Sequence, residues 1–296
     1  MNKYTVFYIS VLILSVLVIA GVIFPKALES ITSNIQIFFS DAFGWYYLIL
    51  VTILLVICLY LLIAPLGRIK LGNQDEKPEF SRPTWIAMLF SAGMGIGLVF
   101  YGSSEPISHY AISSPTGELG TDQAIKDALR FTYLHWGIHA WAVYSIVALA
   151  IAYFHFRHNR LGLISATLRP ILGDKVHGIT GKAIDIFSVI ATVLGVATSL
   201  GFGAVQINGG LSYLFDLPTT IWIQFIIIAV VTVLFLISAW SGLGKGIKIL
   251  SNANMILAGA LFLLMFIFGP TLFILNLFTD TIGTYIQTLP SMSFRI

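Results

Sequence analysis

Residues 83–104 read PTWIAMLFSAGMGIGLVFYGSS, with no Asp, Glu, Lys or Arg in the stretch. That length crosses the apolar core of a bilayer, which takes roughly 20 residues as a helix. Its centre, Ser91-Ala92-Gly93-Met94-Gly95-Ile96-Gly97, is a poor helix former. Each glycine costs about 1 kcal/mol relative to Ala in a helix interior. Two readings fit. Gly93 and Gly97 have the GxxxG spacing of close helix packing. Alternatively the segment is unwound at mid-membrane, its free carbonyls open to a cation and its free amides to an anion. Irregular backbone at that depth survives only where it is buried or lines a cavity. Alternating glycines exceed what GxxxG packing needs, which favours a binding segment.

Six further charge-free stretches are long enough to span: 4–25, 42–67, 131–156, 186–215, 217–244 and 249–279. The chain of 296 residues is 57% hydrophobic and 10% charged, with a mean hydropathy of +0.92. Soluble domains carry about 25% charged residues, so a soluble enzyme is excluded and an all-α integral membrane protein with seven transmembrane helices is expected. The first stretch is longer than a signal-peptide core and has no small-x-small cleavage site after it, so it reads as a span. Twelve Lys and Arg lie at the N-terminus and in the loops after the second, fourth and sixth spans, against four (Lys26, Lys126, Arg130, Arg295) on the other side. The positive-inside rule then puts the N-terminus in the cytoplasm. The single Cys58 rules out a disulfide framework, and a net charge of +3 gives no basis for nucleic-acid binding. Glu105 closes the third span and Asp185 opens the fifth; at such ends a capping or interfacial role is the simple reading.

The fourth span contains His135-Trp136-Gly137-Ile138-His139-Ala140-Trp141-Ala142-Val143-Tyr144. On a continuous helix Trp136, Trp141 and Tyr144 form a wide aromatic sector. Aromatic faces bind quaternary ammonium groups, with about 2 kcal/mol or more per ring once water is excluded; generic core packing fits the same pattern. His135 with His139, and His155 with His158, have spacings that suit a metal. A membrane metal-dependent oxygenase is therefore a remote alternative. It is disfavoured because the two pairs lie about 30 Å apart along a helix. The fifth span carries small residues and hydroxyls: Thr192, Gly195, Ala197, Thr198, Ser199, Gly201, Gly203 and Ala204. Close packing is the first reading; hydroxyls beside such a contact are also hard donors for Na⁺.

Four stretches carry a family resemblance: SAGMGIG at 91–97 with FYGSSEP at 100–106, HWGIHAWAVY at 135–144, IATVLGVATSLGFGAVQ at 190–206, and SGLGKGIKILSNANM at 241–255. Together they resemble the betaine/choline/carnitine transporter (BCCT) family, over roughly residues 70–290. The resemblance implies a secondary transporter of LeuT-like inverted-repeat fold, built from two peripheral helices (1–70) and two five-helix repeats. The first repeat would be 83–279, followed by a surface segment at 280–296, in one transmembrane domain over 1–296. The second repeat would be missing, so this chain would be an N-terminal portion, poorly stable and inactive alone. A non-transporting membrane fragment is the corresponding alternative.

By the same resemblance the function would be uptake of glycine betaine or a related trimethylammonium osmolyte by sodium symport and alternating access, at a bacterial inner membrane; choline or carnitine is the alternative substrate. Trp136, Trp141 and Tyr144, with the backbone of Gly93, Met94, Gly95, Ile96 and Gly97, would contact the substrate. Ser91, Met94, Thr192 and Ser199 would serve Na⁺, the coupling ion; no other cofactor is implied. A homotrimer is implied as well. The form M-G-I-G, with no acidic residue between the glycines, resembles the sodium-coupled branch. Val196 stands where a second hydroxyl is expected after Thr192, which puts the second sodium site in question. Ala140 replaces a frequent Pro.

Overall fold

The computed structural model describes residues 4–93 and 95–294, all without strands. Met94, and Lys3 and Arg295 among the orientation charges, lie outside the described residues. The helices are α1 (Thr5–Ile23), α2 (Pro25–Ile63), α3 (Arg82–Gly93), α4 (Ile96–Ala111), α5 (Asp122–Trp136), α6 (Ile138–Ala152), the short α7 (Ile164–Thr167) and α8 (Arg169–Leu172), α9 (Ile179–Phe215), α10 (Ile221–Ser241), α11 (Lys248–Phe268) and α12 (Thr271–Met292). Six helical segments are long and apolar enough to cross a membrane: α1, α2, Asp122–Arg157, α9, α10 and Leu243–Phe268. The pair α3 and α4, bent by 60°, makes a further one if it is a single broken span.

Proline sets several boundaries. Pro25 disfavours helical backbone at the residue before it, so Phe24 leaves the helix (φ −128°, ψ 56°) and α2 restarts with proline in its first turn. Pro65 ends α2 in the same way, with Ala64 extended at φ −72°, ψ 152°. Between them α2 runs for 39 residues, about 58 Å, almost twice the bilayer core. The span expected at 42–67 is the apolar portion of this longer helix. Lys26, Glu29 and Asp41 interrupt the apolar run without interrupting the backbone. The stretch 249–279 is corrected likewise. Gly269-Pro270 stops α11 at Phe268 (Gly269 extended at φ −86°, ψ −179°), and α12 is a separate helix reaching Met292. The apolar segment ending at Phe268 begins at Leu243, in a π-helical turn.

The chain divides into two compact units. One holds the described residues up to Glu76, Ile138–Gly195, and those from Pro290 on. In it α2 packs on α1 and α6. Thr52 Oγ1 donates to the Ser293 carbonyl at 3.3 Å, and His139 Nε2 lies 3.0 Å from Ser293 Oγ. Asp185 accepts the Ser165 N–H (3.1 Å) and hydroxyl (2.8 Å), satisfying the first turn of α7.

The other unit comprises Lys77–Gly137 and Val196–Leu289. Here α4 packs on α5, and α3 on α11. The loop between α4 and α5 is fixed by Asp127, 1% exposed. Its carboxylate accepts from Thr116 Oγ1 (2.7 Å), Gln123 Nε2 (2.9 Å) and Arg130 Nη2 (2.6 Å). Thr121 caps α5 by accepting the Ala124 N–H at 3.1 Å. The helix ends at Gly137, φ −90°, ψ −147°. A Cβ on Gly137 would strike the Tyr133 carbonyl oxygen and come within 2.8 Å of the Tyr285 hydroxyl. Gly137→Ala is therefore expected to cost about 1–3 kcal/mol, the usual range for overpacking. It should appear as a lower midpoint of thermal unfolding in detergent; an unchanged midpoint would mean the α5–α6 break relaxes freely.

Candidate binding site

In the unit holding α3 and α4, the glycine-rich segment breaks the helix as its composition suggests. Gly93 closes α3, and Gly95 is extended (φ −83°, ψ −172°) before α4 begins at Ile96. The Gly95 carbonyl accepts the first bond of α4, from the Val99 N–H at 3.4 Å. The end of one helix leaves carbonyls, and the start of the next leaves N–H groups, without intrahelical partners. A Cβ on Gly95 would meet no atom within 4 Å, so that side of the break is open. The first half of the broken helix is held by side chains. Ser91 Oγ donates to the Ser251 carbonyl at 3.3 Å and accepts from Asn254 Nδ2 at 3.1 Å, both on α11. The Ser91 hydroxyl is thus engaged in packing α3 against α11. Met94, expected to serve both substrate and sodium, lies outside the described residues.

The second half of the break packs on α9. Gly203 faces Ile96, with 3.6 Å from its would-be Cβ to Ile96 Cγ1, and Ala204 is 2% exposed. Phe202 stacks on Phe100 (ring centroids 5.5 Å apart) and meets Tyr101 edge-on at 5.6 Å. Close packing therefore accounts for the C-terminal part of the small-residue cluster. The rest stays open. Residues 191–199 are exposed, and nothing lies within 4 Å of a Cβ built on Gly195 or Gly201. Thr192 Oγ1 donates to the Ser188 carbonyl at 2.7 Å, which leaves its oxygen free to accept or coordinate. Ser199 is exposed about two turns further along the same helix. Thr192 and Ser199 fall in different units.

The aromatic residues divide similarly. Trp141 and Tyr144, three residues apart on α6, meet edge-to-face with centroids 5.6 Å apart and planes at 78°. Tyr144 is 37% exposed. Trp136 belongs to the other unit, where its ring stacks on Tyr101 at 6.0 Å. Helical-wheel geometry does not carry from Trp136 to Trp141, because the helix is interrupted at Gly137. The histidines have separate partners. His135 Nδ1 lies 2.9 Å from Glu105, His139 contacts Ser293, and His155 Nδ1 lies 2.8 Å from the Arg160 carbonyl. No group of three His, Cys, Asp or Glu with metal-binding geometry occurs among the described residues.

Sequence reading did not single out Tyr101, Phe202 or Asn254 individually, and it gave Glu105 a capping or interfacial role. The usable signal was the spacing of Gly97, Tyr101 and Glu105, every fourth residue and hence one face of α4.

A profile of the "BCCT, betaine/carnitine/choline family transporter" group matches residues 5–296. The chain is 61% identical over 292 residues to the glycine betaine transporter OpuD of Bacillus subtilis (strain 168), an alignment covering 99% of this chain and 57% of that protein. It is 42% identical to a probable glycine betaine transporter of Desulfitobacterium hafniense (strain Y51), covering 98% of this chain and 58% of the relative. It is 43% identical to an ectoine/hydroxyectoine transporter of Virgibacillus pantothenticus, covering 100% and 60%. The chain thus spans less than two thirds of the length of these relatives. With its apolar helical segments, its broken glycine-rich helix and a match along nearly its whole length, the chain belongs to the betaine/carnitine/choline transporter family.

Proposed function

We propose that this chain forms part of a sodium-coupled carrier that takes up glycine betaine. The observation that carries this reading is the edge-to-face pair Trp141–Tyr144, in a chain 61% identical to a protein named as a glycine betaine transporter. Two rings at right angles present a concave, electron-rich corner to a trimethylammonium group. Such a group cannot donate a hydrogen bond, so ring faces are its natural partners. Trp136, in the other unit, is a further candidate ring by the family resemblance. The extended backbone at Gly95, with its neighbours Gly93, Ile96 and Gly97, offers N–H groups to the substrate carboxylate and carbonyls to Na⁺. The Ser91 backbone and the Thr192 and Ser199 hydroxyls are further sodium donors in this reading, as is Met94.

The same reading treats α3 with α4 as one broken span, giving seven spans here. Those up to residue 70 would be peripheral, and 83–279 the first repeat of a LeuT-like fold. The aligned relatives have room for a second repeat in the length this chain does not match. The exposed hydroxyls and small residues at 191–199 would face that repeat. The carrier would sit in a bacterial inner membrane with its N-terminus in the cytoplasm, as a homotrimer. Ectoine is the second substrate to consider, since a relative named for it is 43% identical.

The test is uptake by a bacterial strain stripped of its own osmolyte carriers and expressing the gene product that contains this chain. Accumulation of labelled glycine betaine that requires external Na⁺ is the expected outcome. Accumulation of ectoine alone, or of neither solute, would remove the betaine reading.

A further inference from the structure

We propose that Glu105 is a positioning residue: its carboxylate clamps the indole of Trp136 and fixes the plane of that ring. The inference deepens the reading above, because it rests on Trp136 being a substrate-contacting ring.

Trp136 Nε1 donates to Glu105 Oε2 at 2.7 Å, a short, charge-assisted bond. His135 Nδ1 lies 2.9 and 3.0 Å from the two carboxylate oxygens, and His109 Nε2 is 3.4 Å from Oε1. Three ring nitrogens thus surround one carboxylate whose side chain is 10% exposed. A carboxylate with this many donors has little freedom to turn, and the indole it holds has correspondingly little. Trp136 is also held along its face by the same helix. Tyr101, one turn before Glu105, stacks on it with planes 27° apart. Gly97, one turn earlier again, leaves its six-membered ring room, with 3.7 Å between a would-be Cβ and Trp136 Cη2. Gly97, Tyr101 and Glu105 therefore form one continuous cradle along α4.

This cradle starts at the helix break. Gly97 lies two residues after the extended Gly95, so any reorientation of α4 at the break carries the indole with it. Such a link would make the ring's position depend on the break's geometry, and therefore on whatever ion the break holds.

The experiment is a double-mutant cycle on the whole gene product in proteoliposomes, with labelled glycine betaine and an inward Na⁺ gradient. Glu105→Ala is expected to raise KM about five- to tenfold while kcat stays within about threefold, the size of one typical net hydrogen bond. Glu105→Gln keeps an acceptor and should stay within about twofold of the parent. In a Trp136→Phe background, where no indole N–H exists, Glu105→Ala should add nothing further. An equal KM rise in both backgrounds would overturn the proposal, as would an unchanged KM in Glu105→Ala. Should Glu105→Ala not reach the membrane, Glu105→Asp, one methylene shorter, carries the same test.

A second readout does not depend on the substrate. With the tryptophans of the whole gene product fluorine-labelled, the ¹⁹F resonance that disappears in Trp136→Phe belongs to Trp136. It should shift and broaden in Glu105→Ala while the other tryptophan resonances stay in place; an unmoved Trp136 resonance would overturn the clamp. Failure of betaine transport in the parent protein would sink the transport reading and leave this readout to decide the clamp.

Discussion

Trp141→Ala is expected to raise the KM for glycine betaine about ten- to thirtyfold with a smaller change in kcat. A ring face against a desolvated trimethylammonium group contributes about 2 kcal/mol or more, and 1.4 kcal/mol corresponds to a factor of ten. Trp141 also supports Tyr144, whose ring meets it at 5.6 Å, so truncation removes one ring and frees the other. Trp141→Phe, which keeps an aromatic face, should recover most of the loss. A KM unchanged by Trp141→Ala, measured from initial uptake rates, would remove the corner formed by these rings from the substrate site.

Gly95→Asp is expected to abolish most of the Na⁺ stimulation of transport, roughly a tenfold or greater reduction in the ratio of rates with and without Na⁺. Gly95 is the N-cap of α4 and makes no side-chain cap bond. Asp is among the best N-cap residues, contributing about 1 kcal/mol by accepting N–H groups of the first turn. Its charge also complements the helix dipole. The space is available, since nothing lies within 4 Å of a Cβ there. An aspartate would thus fix the break by itself and place a permanent negative charge beside the carbonyls proposed to hold the cation. The geometry would no longer wait on an ion. Retention of normal Na⁺ stimulation in this variant would separate the glycine segment from ion coupling.

Much of the architecture was legible because the membrane imposes a simple rule. A chain that must satisfy its backbone inside lipid does so with helices, and long charge-free stretches reveal them. The break near Gly95 was legible for a related reason, since alternating glycines cannot sustain a helix without help. The errors came from using charge as the sole ruler. Lys26, Glu29 and Asp41 interrupt the apolar run of α2 but not its helix, whereas Gly269-Pro270 interrupts the helix inside a charge-free run. The dipeptide was a readable signal that the span count overrode.

The side-chain partners were far less legible. Glu105 and Trp136 are 31 positions apart, and only the fold of α4 against α5 brings them to 2.7 Å. Likewise, nothing in HWGIHAWAVY announces that the chain leaves the helix at Gly137. At that departure the Tyr133 carbonyl and the Tyr285 hydroxyl occupy the space a side chain would take. The commitment of the Ser91 hydroxyl to Asn254 is of the same kind, a contact 163 residues apart in the chain.

The most direct test of the proposed carrier is a paired flux measurement. The whole gene product is reconstituted into sealed proteoliposomes, and entry of labelled glycine betaine and of ²²Na⁺ is followed together under an imposed Na⁺ gradient. The account predicts that each flux requires the other and that betaine rises above its external concentration while the gradient lasts. Betaine entry that proceeds equally in K⁺ medium, with no accompanying ²²Na⁺ movement, would contradict it.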